Sequence, residues 1–204
     1  VQTVSSDPAA SAAATGTWAS GGAMGTGRAY MGGAGSQTAG LVFGGAVPAV
    51  TGNTEEYNGT SWSEQSELGL ARSYQAGGGS QTAAICLIFG GYDETSPHIK
   101  ALTEEYNGTS WSEQDDLNTA RYNGGGAGTL TSGILAGGTP GSGVTGKTEL
   151  WNGASWSETT VLNTSRTTAA SGATNTAVLV AGGDVSPGHR AFTENWDGTS
   201  WTEV

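Results

Sequence analysis

Five tryptophans, Trp18, Trp62, Trp111, Trp156 and Trp201, stand 44, 49, 45 and 45 residues apart. An arginine follows each of the first four by ten positions: Arg28, Arg72, Arg121 and Arg166. A Gly-Gly pair then closes a short apolar run, at Gly44-Gly45, Gly90-Gly91, Gly137-Gly138 and Gly182-Gly183. A Thr-Glu-x-aromatic segment comes last: Thr54 to Tyr57, Thr103 to Tyr106, Thr148 to Trp151 and Thr193 to Trp196. Landmarks in fixed order at such a period mean one supersecondary unit copied along the chain. Each copy must bury its apolar face on a neighbour. Periods of about 40–50 residues belong mainly to propeller blades.

Residues 72–114 serve to read one unit. Arg72 to Ala76 runs into Gly77-Gly78-Gly79, small residues suited to a strand crowded against other backbones. Ala83 to Phe89 is continuously apolar and reads as a strand buried on both faces. A variable polar loop covers Tyr92 to Leu102. Thr103 to Tyr106 and Thr109 to Glu113 read as third and fourth strands, joined at Asn107-Gly108. That dipeptide predicts a two-residue hairpin turn with both residues at positive φ. Four antiparallel strands make one blade.

Composition narrows the function. The 36 glycines follow no G-X-Y period, which excludes collagen. Net charge is −11, whereas proteins that grip a nucleic-acid backbone are basic. The longest apolar run, Ala83 to Phe89, is too short to span a bilayer. No signal-peptide pattern opens the sequence. Cys86 is the single cysteine and lies in that apolar run, so it reads as an inert buried thiol.

An apolar strand ending in Gly-Gly, then a loop, an aromatic residue and a tryptophan resembles the kelch repeat. The wording Thr-Glu-Glu-Tyr-Asn-Gly-Thr-Ser-Trp-Ser-Glu, with Leu-Asn-Thr-Ala-Arg, is similar to kelch-like repeats of marine bacteriophage and cyanophage structural proteins. The resemblance covers residues 16–204 and implies an all-β propeller of four kelch-like, four-stranded antiparallel blades. The expected blades are about 28–66, 72–115, 121–160 and 166–204, within a domain of 21–204. Residues 1–20 are expected to be an arm or outer strand, because Trp18 duplicates the fourth-strand motif that Trp201 already supplies. The expected arrangement is a closed ring of four, the alternatives a larger ring built from two chains or a fragment of a longer protein.

In such a ring, the loops between strands two and three share a face with the starts of the first strands. Every basic residue maps there: Arg28, Arg72, Arg121 and Arg166 at the strand starts, and Lys100, Lys147 and Arg190 in the loops with His98 and His189. These nine residues form the candidate ligand face. Read functionally, the arginines ring the axis and suit acidic sugars or a carboxylate. Read structurally, each pairs with a recurring glutamate, Glu55, Glu104, Glu149 or Glu194, and locks neighbouring blades. Identical recurrence favours the structural reading. The Glu55-Glu56 and Glu104-Glu105 pairs point to opposite faces of a strand and cannot share a site. Asn58, Asn107 and Asn163 match the glycosylation sequon, but the first two are explained by the turn. No catalytic set, phosphate loop, metal motif or cofactor signature appears.

The expectation is a non-enzymatic virion component, part of a tail fibre or capsid-surface appendage. It would display variable loops to a host-surface glycan or protein, or contact other virion proteins, outside the cell. A polysaccharide-active enzyme and an interaction scaffold are the alternatives.

Overall fold

A computed structural model describes residues 20–79, 85–167, 174–185 and 188–204. Residues 1–19, with the Trp18 motif and nearly all of the expected arm, lie outside the described residues. The chain is all-β. Among the described residues seventeen strands run in order: β1 Gly32–Ser36, β2 Ala39–Phe43, β3 Ala46–Val47, β4 Ala49–Val50, β5 Thr54–Tyr57, β6 Trp62–Glu64, β7 Ala76–Gly79, β8 Cys86–Phe89, β9 Thr103–Tyr106, β10 Trp111–Gln114, β11 Gly125–Thr129, β12 Ser132–Ala136, β13 Thr148–Trp151, β14 Trp156–Thr159, β15 Val178–Ala181, β16 Thr193–Trp196 and β17 Trp201–Glu203. They form four antiparallel sheets, one per repeat: β1-β2-β5-β6, β7-β8-β9-β10, β11-β12-β13-β14 and β15-β16-β17. The fourth sheet has three described strands. Its expected first strand falls largely on residues 168–173, outside the described set. A two-stranded ribbon, β3-β4, decorates the first sheet's loop.

The hairpin between third and fourth strands differs from the two-residue turn expected. Tyr106 pairs with Trp111, so the loop is the four residues Asn107–Ser110. Only Gly108 takes positive φ, at 93°. Asn107 acts through its side chain, whose Oδ1 accepts the Thr109 and Ser110 amides at 2.9 and 3.0 Å. An aspartate can do the same, and Asp197 does so at 2.8 Å to both amides. Those amides hold its carboxyl below the ordinary range.

Alternation in the second strands sends side chains to two neighbours at once. Leu41 and Phe43 of the first sheet pack on Cys86, Ile88 and Tyr106 of the second. Leu87 and Phe89 of the second pack on Leu135, Trp151 and Trp156 of the third. Ile134 and Ala136 of the third pack on Val178, Val180, Trp196 and Trp201 of the fourth. Linker leucines Leu68, Leu117 and Leu162 fill the same three layers. In the second, third and fourth sheets the fourth-strand tryptophan also donates its indole N–H to the third-strand threonine of the sheet before it. Trp111 reaches Thr54 at 3.0 Å, Trp156 reaches Thr103 at 3.0 Å, and Trp201 reaches Thr148 at 2.9 Å. First strands approach so closely that a Cβ on Gly126 would lie 2.9 Å from the Gly77 backbone.

A ring closed by four units would repeat these bonds between the fourth sheet and the first. The described residues do not make them. Trp62 gives its indole N–H to the Gly22 carbonyl at 3.1 Å. Thr193 is partly exposed, whereas Thr54, Thr103 and Thr148 are fully buried. Leu179 is 45% exposed, whereas its counterparts Leu41, Leu87 and Ile134 are at most 1% exposed.

Candidate functional site

The four arginines are joints. Arg28 meets Glu55 at 3.0 Å, Arg121 meets Glu149 at 2.7 Å, Arg166 meets Glu194 at 2.9 Å, and Arg72 is bonded to Glu104. Every one of these guanidinium side chains is 0% exposed. Burial pulls the Arg72 and Arg121 pKa values down, and the paired glutamates oppose that pull. The joint reaches both neighbours. The carbonyls of Arg72, Arg121 and Arg166 accept the amides of Gly45, Gly91 and Gly138 in the preceding sheets, at 2.9, 3.0 and 2.9 Å. Their side chains hold the glutamate of their own sheet. The structural reading of the arginines therefore holds, and none of the four is presented to a ligand.

Two further joint residues carry a role that the sequence did not signal. Asn118 Nδ2 donates to Glu149 at 2.9 Å and to the Trp156 carbonyl at 3.0 Å. Asn163 Nδ2 repeats this with Glu194 and the Trp201 carbonyl, at 2.9 and 3.1 Å. The sequon at Asn163 thus has a structural cause.

The loop cations are mostly neutralised. Lys100 lies 3.2 Å from Asp93, Lys147 lies 2.6 Å from Glu158, and His189 is bonded to Asp184. Burial alone would raise the Asp93 carboxyl, but hydrogen bonds from Thr95 and Lys100 outweigh it and hold it low. Lys147 likewise holds Glu158 below its usual range. Arg190 is exposed, with one N–H on the His189 carbonyl at 3.1 Å. His98 Nδ1 donates to the Asp93 carbonyl, 3.2 Å away, and the ring stacks on Tyr92. Among the described residues, no three His, Cys, Asp or Glu side chains converge as a metal site.

What the fold brings together instead is a row of tyrosines just past the joints. Tyr30 and Tyr74, each two residues after a joint arginine, stack with ring centroids 4.3 Å apart. Tyr74 approaches Tyr122 at 6.0 Å, Tyr122 meets Tyr92 at 5.8 Å, and Tyr92 meets His98 at 5.6 Å. The backbone is bent to present them. Tyr30, Tyr74 and Asn123 have φ of 58°, 56° and 55°. This left-handed region costs a residue with a Cβ about 1–2 kcal/mol. A ladder holds them there: the Tyr74 amide donates to the Tyr30 carbonyl, and the Asn123 amide to the Tyr74 carbonyl, both at 3.1 Å. Strain of this kind, kept by its surroundings, concentrates at functional positions. Burial, then contact with Tyr30, raises the Tyr74 hydroxyl pKa and keeps it protonated.

Two concavities adjoin the row. One, of about 350 Å³, is lined by Tyr74, Tyr92, Tyr122 and Asn123. The other, of about 550 Å³, continues from Tyr122 and Asn123 to Val144, Asp184 and His189. Rigid aromatic faces beside amide, hydroxyl, carboxylate and imidazole groups are suited to binding an amphipathic ligand by stacking and directed hydrogen bonds. None of these tyrosines was singled out from the sequence. The one available signal was tyrosine two positions after Arg28 and again after Arg72, and one position after Arg121. A scan against protein-family models finds no match to the chain, and a search of curated proteins finds no relative.

Proposed function

We propose that the chain is a stack of kelch-like propeller blades acting as a non-enzymatic binding module, and that its ligand is a glycan on a host surface. The single observation that carries this reading is the tyrosine row. Tyr30 is exposed, Tyr74, Tyr92 and Tyr122 are half-buried, and Tyr30 and Tyr74 are stacked and held by a strained backbone. Sugars offer C–H faces to aromatic rings and hydroxyls to groups such as Asn123, Asp184 and His189. The loop lysines are already paired with acids and the net charge is −11. That balance disfavours acidic polymers, so the reading moves from acidic sugars to neutral ones. The virion setting, in a tail fibre or surface appendage, rests on the resemblance of the repeat wording to phage structural proteins.

A polysaccharide hydrolase would need a pair of carboxyl groups about 5–9.5 Å apart across the bond to be cut. Asp184 is the one carboxylate among the described residues lining the larger groove. A glycan array followed by calorimetry tests the binding reading. Neutral glycans should bind, and Tyr74→Ala and Tyr122→Ala should each weaken binding at least tenfold. Absence of any bound glycan, or product release from an incubated polysaccharide, would overturn it.

A further inference from the structure

We infer that the outer face of the fourth sheet and the open face of the first sheet are two halves of one interface, and that they join copies of this chain head to tail. The inference is independent of the glycan reading. It rests on three internal junctions that use the same parts in the same order. At each junction the earlier sheet offers a leucine or isoleucine from its second strand, a threonine hydroxyl from its third, and the amide of the second Gly-Gly glycine. The later sheet brings a third-strand aromatic, a fourth-strand tryptophan and the carbonyl of its joint arginine.

The fourth sheet offers the first set and the first sheet the second. Leu179 stands where Leu41, Leu87 and Ile134 are buried, yet is 45% exposed. Thr193 stands where three threonines accept an indole, and is partly exposed. Gly183 occupies the place of Gly45, Gly91 and Gly138, whose amides each donate to an arginine carbonyl. On the first sheet, Val42 and Tyr57 are only half-buried, while their counterparts Ile88 and Tyr106 are fully buried. Arg28 supplies the remaining carbonyl.

Polar matching favours a second copy as the occupant. At the first junction the Tyr106 hydroxyl donates to Glu56 at 3.3 Å. Asn195 stands at the position of Glu56, and Tyr57 at that of Tyr106. Docking one copy's first sheet on another's fourth therefore sets Tyr57 against Asn195, Trp62 against Thr193 and Val42 against Leu179. Trp62 exchanges the Gly22 carbonyl for the threonine hydroxyl. Met24 of the incoming copy, half-buried, takes the place that Leu68, Leu117 and Leu162 fill at the internal junctions. The contact is heterologous, so it builds either a closed ring of copies or an open chain.

Sedimentation over a wide concentration range tests this. The full chain should associate with rising concentration. Leu179→Glu and Val42→Glu should each remain monomeric at concentrations at least 100-fold above the wild-type midpoint, with unchanged near-ultraviolet circular dichroism. Mixing the two variants should restore one interface and give a dimer and nothing larger. A wild type monomeric at every concentration overturns the inference. So does association that survives both substitutions, or a mixture that stays monomeric. Hydrogen exchange completes the test: a monomer whose Leu179 and Val180 amides are as protected as those of Ile134 and Leu135 means that the chain covers this face itself, which also overturns it.

Discussion

Arg72 and Tyr74 are two residues apart and have opposite fates. Arg72 is wholly buried, bonded through its side chain to its own sheet and through its carbonyl to the sheet before it. Tyr74 is held in a costly backbone conformation that turns its ring toward Tyr30 and the solvent-facing row. One residue is spent on cohesion and the other presents a surface at the expense of cohesion. The difference teaches that recurrence and function separate within a single linker. The arginine recurs in all four units, whereas the tyrosine two positions on is found in the first two and gives way to Asn123 in the third.

The comparison breaks most sharply at the joints. Arg121→Met should cost about 3–5 kcal/mol of unfolding free energy, because it strands the Glu149 carboxylate in a buried site. Adding Glu149→Leu should recover much of the loss, and denaturant titration of both variants measures it. Next comes crowding between first strands. Gly126→Ala places a Cβ 2.9 Å from the Gly77 backbone and should cost about 1–3 kcal/mol by forcing the strands apart. Trp156→Phe keeps an aromatic ring but leaves the buried Thr103 hydroxyl without its donor, a loss of about 1–3 kcal/mol in the same assay.

At the tyrosine row the sign should reverse. Tyr74→Gly relieves a left-handed residue and should leave stability unchanged or raise it by up to about 1 kcal/mol, while removing the stacked ring proposed to bind the glycan. A destabilisation as large as that of Arg121→Met would erase the distinction between the buried joint and the ledge that the tyrosine row forms beside it. The smallest effect is chemical. Burial lifts the Cys86 thiol to about 12, so it stays protonated at pH 8. It should resist alkylation until the protein is unfolded, as mass spectrometry with and without denaturant would show.

Much of the fold was legible because its determinants are periodic. The Ala83–Phe89 run, Thr103–Tyr106 and the Trp111 segment all carry strands within the spans that the alternation indicates. The arginine–glutamate pairing was legible for the same reason, since both partners recur at fixed spacing. The Asn107 turn was misread in detail because an asparagine can support a turn through its backbone or its side chain. Dipeptide identity does not distinguish the two. The ledge was not legible because its aromatics occupy different offsets, Tyr74 two residues after its arginine, Tyr122 one after, and Tyr92 in another loop. Only the stacking of sheets brings them to one face. The partners that neutralise the candidate basic face were not legible for a related reason. Formal charge can be counted in a sequence, but the acid that cancels it, such as Glu158 for Lys147, sits on a different strand.

Four near-identical units in one chain also face an addressing problem during folding, because any sheet could in principle dock on the wrong neighbour. The residue before each Gly-Gly pair acts as an address label. Phe43 and Phe89 close edge-to-face on Trp111 and Trp156, at 5.3 and 4.8 Å, whereas the smaller Ala136 packs in the layer of Trp196 and Trp201. A phenylalanine side would overfill the third junction and an alanine side would leave the first hollow. Unequal volumes at one repeated position thus set the third junction apart from the first two, so mismatches between copies contribute to folding fidelity alongside the matches that hold the finished stack.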